Sequence, residues 1–395
     1  MSSFDVRKIL KSSAIYAGGV ALVSLGRQFL LLPIVARSYP AEFGEFALFF
    51  VLFDLVVNGA AGYLGDYYYK LGCTIEYFIR RFFWTIIPAS FFFSVVFCMF
   101  LDLGYGYLLP LSLIVFLSSV NALLFKYLYI KRGFFYSLVH NGAKFVSVIF
   151  FSVSAYFLED FDIFSFYVSF SLAAESAVMI FLVFLLGREL RGVGFRLDLE
   201  VAPFFFLLSI VISVFVQRIE VYFAEYFFPL DFPGFFAYSS VIYFFVIPFS
   251  MLFSVTMSSA LASVSEDGEL LRHSFSVVKV GLLISLLVSL VAGYAQNHLM
   301  SIFYESVRFP PASIKWYAFI YCLFSCSYVY VRVILHRVVG EFAILLAYFT
   351  TIFFGFLAYL CVDNVMGAAL ASMAVKLVVI FLFLGWCVNH KRKVS

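Results

Sequence analysis

Eight ionisable side chains stand inside stretches of the sequence that are otherwise apolar: Arg27, Asp54, Lys144, Glu175, Arg218, Glu220, Glu225 and Lys376. Each costs about 2.5–3.5 kcal/mol on insertion scales at the centre of a bilayer, so each has to face protein or a water-filled cavity. The four cations suit an anionic ligand, with arginine supplying a fork of donors and lysine a point charge. The spacing also allows a purely structural use. Arg27 lies ten residues before Arg37, and Asp54 ten after Gly44. At about 1.5 Å per residue both sit roughly 15 Å from one shared turn, where they can pair across a hairpin. Lys144 and Glu175 flank the 158–163 turn at matching depths, and Ser137 and His140 continue the Lys144 stripe. In "VQRIEVYFAE", steps of four and three place Arg218, Tyr222 and Glu225 on one helix face. Gln217 and Glu220 form the adjacent stripe. Glu225, four residues before Pro229, is expected near the outer interface. Arg218 and Glu220 make a poor intrahelical pair, which favours a cavity role for both. Lys376, in "GAALASMAVKLVV", has no obvious partner in the span before it, so it reads as a cation for an anionic ligand, as a snorkelling side chain or as a group with an unseen partner.

Long apolar helices must carry these charges. The 395 residues are 64% hydrophobic and 12% charged, with a mean hydropathy of +1.05. A soluble surface needs roughly a quarter charged residues. Apolar runs such as "SFFFSVVFCMFL" do not alternate, which excludes a β-barrel and leaves an all-α, polytopic integral membrane protein. Twelve spans are read near 12–34, 43–64, 82–101, 107–128, 133–157, 164–187, 201–228, 234–262, 277–296, 312–331, 342–361 and 367–388. Basic residues crowd one set of ends, Arg7, Lys8, Lys11, Arg80, Arg81, Lys131, Arg132, Arg188, Arg191, Lys391 and Lys393 among them. The other set holds Arg37, Arg308 and Lys315. That bias puts both termini on the cytoplasmic side. The first apolar run is too long for a signal-peptide core and leads straight into a second span, so no cleaved leader is expected. The cysteines have no metal or disulfide spacing, and Cys322 and Cys326 read as small packing residues. Most of the 56 phenylalanines and 26 tyrosines are read as lipid-facing filler, with Tyr67 to Tyr69 in an interfacial belt.

The chain also repeats itself. "SYPAEFGEFAL" (38–48) echoes in "FFPLDFPGFFAY" (227–238): Pro40, Glu42 and Phe43 match Pro229, Asp231 and Phe232 at an offset of 189. One residue is inserted after that. Gly44, Phe46 and Ala47 then match Gly234, Phe236 and Ala237 at 190, and upstream Gln28 matches Gln217 at 189. An offset near half the chain, falling between the first two spans of each half, indicates duplication. Six spans per half give both halves the same orientation, related by a pseudo-two-fold axis along the membrane normal. The expected organisation is a bundle over 1–187, a cytoplasmic linker over 188–200 ("REL…LDLE") and a second bundle over 201–395.

The opening "LKSSAIYAGGVALVSLGRQFLLLPIVARSYPAEFGEFALFFVLFDLV" resembles the first two spans of bacterial O-antigen and capsule-unit flippases, in Lys11-Ser12, Tyr16, Pro33, Ala36-Arg37, Glu42, Gly44 and Ala47. "QRIEVYFAEYFFPLDFPGFFAYSSVIYFFVIPFSMLFSV" is similar to the second-half signature of that family, part of the multidrug/oligosaccharidyl-lipid/polysaccharide exporter superfamily. The chain departs from it where "SSALASVSEDGE" replaces a proline that often ends the eighth span. The resemblance implies translocation of an undecaprenyl-pyrophosphate-linked oligosaccharide between the leaflets of a bacterial inner membrane, by alternating access of two six-helix bundles. It carries no cofactor, no metal and no catalytic residue. Expected partners are the lipid-linked oligosaccharide, the phospholipid bilayer, and a polysaccharide polymerase with its chain-length regulator. No nucleic acid is expected, and the chain is expected to act as a monomer. On this reading Arg27, Lys144, Arg218 and Lys376 face the cavity and hold the pyrophosphate or acidic sugars. Gln28, Asp54, Glu175, Gln217 and Glu220 complete the polar lining. Charge pattern alone selects no coupling ion.

Two rivals stay open at this point. A multidrug extruder of the same fold is expected to show a compact acidic site for organic cations, and the cation-rich spans argue against it. A membrane polysaccharide polymerase is expected to need a large external loop, and the longest outer segment is only "NHLMSIFYESVRFPP" (297–311).

Overall fold

The computed structural model describes residues 15, 18, 19, 21–53, 55, 87, 88, 90–92, 94, 95, 97–99, 104–132, 135–157, 162–190, 212, 213, 215–262, 267–307, 316–338 and 341–394. Asp54, Tyr67 to Tyr69 and most of the expected linker lie outside them. All regular structure among the described residues is helical. We number the helices α1 (Ala21–Ser38), α2 (Phe43–Phe53), α3 (Leu108–Arg132), α4 (Phe135–Phe157), α5 (Ile163–Leu190), α6 (Ile219–Phe227), α7 (Phe232–Ala262), α8 (Asp267–Phe303), α9 (Tyr317–Val338), α10 (Glu341–Cys361) and α11 (Val365–Val394). Among the described residues, eight helices are long and apolar enough to cross a membrane. The chain is a multi-pass membrane protein of all-α class.

It divides into two units, one of Met1–Gly44 with Val216–Ser395 and one of Glu45–Phe215. The first helix thus belongs to the same unit as the second half of the chain. Its Phe29 ring lies 4.7 Å from those of Phe244 on α7 and Phe303 on α8. The two repeated turns meet inside this unit. Phe43 packs edge-on to Phe236, and a Cβ on Gly44 would come within 3.2 Å of the Pro233 ring. A second close approach brings α8 onto α9, where a Cβ on Gly293 would meet that of Phe319 at 3.2 Å. The Gln296 amide, also on α8, donates to the Tyr238 carbonyl of α7 at 2.8 Å.

The smaller unit is built round an aromatic cluster. Phe46, Phe49 and Phe53 of α2 and Phe151 of α4 all present faces or edges to Tyr167 of α5, with centroids 5.0–5.9 Å apart. Such edge-to-face pairs add about 0.5–1.5 kcal/mol each beyond the area they bury. These rings are core, not lipid-facing filler. In the larger unit Tyr243, Tyr304, Tyr317, Tyr321, Tyr328 and Tyr348 are likewise buried.

In the smaller unit, Asp162 caps α5. Its Oδ1 accepts the Phe164 N–H at 3.0 Å, while Oδ2 accepts the Ser165 hydroxyl at 2.6 Å and the Tyr107 hydroxyl at 2.8 Å. Burial raises the carboxyl pKa, but the bonds from Ser165, Tyr107 and Phe164 outweigh it and hold Asp162 below its ordinary value. Asp162→Ala is expected to cost about 1 kcal/mol, as loss of an N-cap does, read as earlier thermal unfolding in detergent. A depressed folded value stabilises above the unfolded pKa. The difference between wild type and variant should therefore be full at neutral pH, shrink below about pH 4, and vanish once the pH falls through the folded value.

Candidate functional site

Two helices of the larger unit depart from α geometry at positions related by the repeat. In α1 a π-turn runs over Arg27–Leu31, with the Leu32 N–H bonded to the Arg27 carbonyl. Leu32 is thus unavailable to Gln28, and the next residue, Pro33, has no N–H to offer. The Gln28 carbonyl is left without a backbone donor in a buried position, and the Tyr304 hydroxyl supplies one at 2.9 Å. In the seventh span, 189 residues on, the helix breaks at Arg218, whose φ of −117° and ψ of 18° lie outside the helical region. The Val221 N–H turns to the Arg218 carbonyl at 2.9 Å. The Gln217 carbonyl loses its helical partner and takes the Lys376 ammonium at 3.3 Å and a share of the Tyr243 hydroxyl at 3.1 Å. The seventh span is therefore not the continuous helix expected over 201–228. Arg218 consequently leaves the helical face it was expected to share with Tyr222 and Glu225.

Around that break the side chains converge. Glu220, in the first turn of α6, is 0% exposed, and Lys376 of α11 is 1% exposed. They form an ion pair with Nζ 3.0 Å from Oε2. The other carboxylate oxygen, Oε1, accepts the hydroxyls of Tyr243 at 2.5 Å and Tyr321 at 2.7 Å. A third hydroxyl, from Tyr359, donates to the Glu220 backbone carbonyl at 2.7 Å. The Lys376 ammonium also lies 4.8 Å above the Tyr328 ring. The Arg218 guanidinium leaves the helix to stack 3.8 Å over the Tyr243 ring, and Arg332 of α9 donates to the Gln217 side-chain oxygen at 2.9 Å. Both arginines are half-buried.

Of the nine side chains expected to line a cavity, Gln217, Arg218, Glu220 and Lys376 meet here. Glu220 and Lys376 are sealed from solvent and joined to one another. Lys376 has its partner on the seventh span and not on the neighbouring eleventh. Arg27, half-buried, and Gln28, buried, sit on the π-turn of the same unit. Lys144 and Glu175 are half-buried in the smaller unit. There Asn121 of α3 holds Glu175 by an unforeseen pair of bonds, 2.7 Å to Oε2 and 2.8 Å to its own carbonyl. Asp54 lies outside the described residues. Cys322 and Cys326 are buried and unbridged, as packing residues are.

Sequence reasoning missed Arg332 and the tyrosines. A signal existed: Tyr317, Tyr321 and Tyr328 recur at helical spacing on one face of α9, where a membrane helix has no need of hydroxyls unless they have work inside the bundle.

A broken helix with freed carbonyls inside an all-α bundle is a construction that secondary transporters also use. Solved structures agree on the fold. A lipid II flippase, MurJ, in an inward closed conformation superposes with a TM-score of 0.60 at 16% identity, covering 95% of this chain and 87% of that one. A multidrug resistance MATE transporter of the MOP superfamily gives 0.57 inward-facing at 11% identity, over 99% of this chain and 96% of that one. Its outward-facing form gives 0.58 at 13%, over 98% and 97%. The chain thus has the fold of the multidrug/oligosaccharidyl-lipid/polysaccharide transporters. Neither a protein-family model nor a curated protein matches its sequence.

Two results should follow. Tyr304→Phe removes the donor to a buried carbonyl and is expected to cost about 1–3 kcal/mol, more than Tyr→Phe at the exposed Tyr294, read by thermal unfolding in detergent. Lys376→Met or Glu220→Gln leaves a buried partner unmatched and should each cost about 3–5 kcal/mol. The double variant should recover a large part of that loss, giving a coupling energy that a double-mutant cycle measures directly.

Proposed function

We propose that this protein carries a lipid-linked oligosaccharide with an anionic, pyrophosphate-type head group from the cytoplasmic to the periplasmic leaflet of a bacterial inner membrane. Both termini lie in the cytoplasm on this reading, and the export feeds a surface polysaccharide pathway with its polymerase and chain-length regulator. The observation that carries the reading is the charge at the break in the seventh span. Among the described residues there, three cations, Arg218, Arg332 and Lys376, gather around the break with one carboxylate, Glu220. Lys376 neutralises Glu220, so the surplus sits on the two half-buried arginines. Their forked donors suit phosphate oxygens. Arg27, on the π-turn of the same unit, adds a further cation on this proposal, Lys144 is proposed to bind the anionic substrate from its own unit, and the fold is one that a lipid II flippase also uses.

The multidrug reading rests on the same fold and on the MATE neighbours. It asks for an available carboxylate to receive an organic cation. In this cluster the carboxylate is committed to Lys376 and two phenols.

A deletion strain should accumulate lipid-linked units on the cytoplasmic leaflet, and the wild-type gene should clear them. Arg218→Ala and Arg332→Ala, at matched membrane levels, are each expected to slow export by about tenfold or more, since a charge-assisted bond contributes about 1.5–3 kcal/mol. Units gathering on the periplasmic side would point to polymerisation. Normal export by both variants, or resistance to organic cations conferred by the wild type without any change in lipid-linked units, would overturn the proposal.

A further inference from the structure

The surroundings of the Lys376 ammonium are those of a bound monovalent cation. Its contacts are a carboxylate oxygen at 3.0 Å, a main-chain carbonyl at 3.3 Å and an aromatic face at 4.8 Å. Each of these groups also receives alkali cations or free ammonium. Two features show that the groups are placed independently of the lysine. The Gln217 carbonyl is exposed to the site because Arg218 breaks the helix and Val221 bonds elsewhere, a backbone event. The Glu220 carboxylate is aimed because Tyr243 and Tyr321 both donate to Oε1, which leaves Oε2 free for a cation. The Tyr359 hydroxyl fixes the backbone of the same residue. A carboxylate so arranged and 0% exposed needs a positive charge opposite it.

We propose that the break in the seventh span builds a monovalent-cation site, which Lys376 occupies with its own side-chain ammonium. The tethered amine takes the position of a free ion, so the wild-type protein needs no Na⁺, K⁺ or NH4⁺ there. Removing the amine opens the site to such an ion. The charge count selects the class. Arg218 and Arg332 already stand on the residues that border the site, and a single positive charge restores the native balance where a divalent ion would exceed it. The inference concerns occupancy and stands apart from the identity of the transported substrate.

The test uses the purified full-length chain in detergent, with ionic strength held constant by N-methylglucamine chloride. Thermal unfolding is followed as NaCl, KCl or NH4Cl replaces that salt. Wild type is expected to stay flat. Lys376→Ala is expected to gain a few degrees, saturably, with at least one of the three monovalent ions, as a ligand bound only to the folded state requires. MgCl2 should not reproduce the gain. The double variant Glu220→Gln/Lys376→Ala should be flat again, because the aimed carboxylate is gone. A flat Lys376→Ala, or an equal gain in wild type or the double variant, would overturn the proposal. Should Lys376→Ala fail to purify in N-methylglucamine, extraction in the three monovalent salts decides the matter. Folded protein recovered in one of them supports the site, and failure in all of them refutes it.

Discussion

Inside a bilayer no water is available to a backbone carbonyl that its own helix has abandoned, and the larger unit of this protein is organised round two such carbonyls. Gln28 and Gln217 occupy equivalent places in the duplicated sequence, and both lose their helical donors for local reasons. In the first helix the cause is a π-turn followed by Pro33; in the seventh it is the excursion of Arg218. Each orphan is met by a tyrosine hydroxyl, from Tyr304 on α8 and Tyr243 on α7, with Lys376 of α11 adding to the second. The helices that supply these donors are held in register by that need.

The two solutions differ in charge, and the difference separates scaffold from site. At Gln28 the answer is one neutral phenol. At Gln217 the freed carbonyl recruits an ammonium, the ammonium requires a carboxylate, and the carboxylate accepts two tyrosine hydroxyls while a third holds the Glu220 backbone carbonyl. A buried ion pair of this kind contributes less to stability than a well-packed apolar cluster could, while loss of either partner is severe. The half-buried Arg218 and Arg332 then remain beside a neutralised core, and on the proposed function it is there that the anionic head group competes for their donors.

Much of this was legible in the residues. Composition and the length of the apolar runs dictated an all-α membrane protein, since lipid leaves an unalternating chain no other way to satisfy its backbone. Arg27, Gln28, Gln217, Arg218, Glu220 and Lys376 were recognisable because charge and amide groups in oil demand a reason, and the 189-residue offset linked Gln28 to Gln217 before any contact was known. The tyrosines were hidden. In a chain with 26 of them, a phenol in an apolar run reads equally well as interfacial filler.

Pairing belonged to the tertiary structure. Sequence spacing reports what is near along one helix, and Glu220 and Lys376 lie 156 residues apart on helices brought together only by packing. The same holds for the break at Arg218: nothing in "VQRIEVYF" forbids a straight helix. The excursion holds because Tyr243, Arg332 and Lys376, from three other helices, meet the groups it exposes. The sequence by itself determined that charges must be sheltered in this membrane protein. Only the fold decided which of them shelter one another and which stay available to a ligand, because that choice rests on contacts between helices distant in the chain.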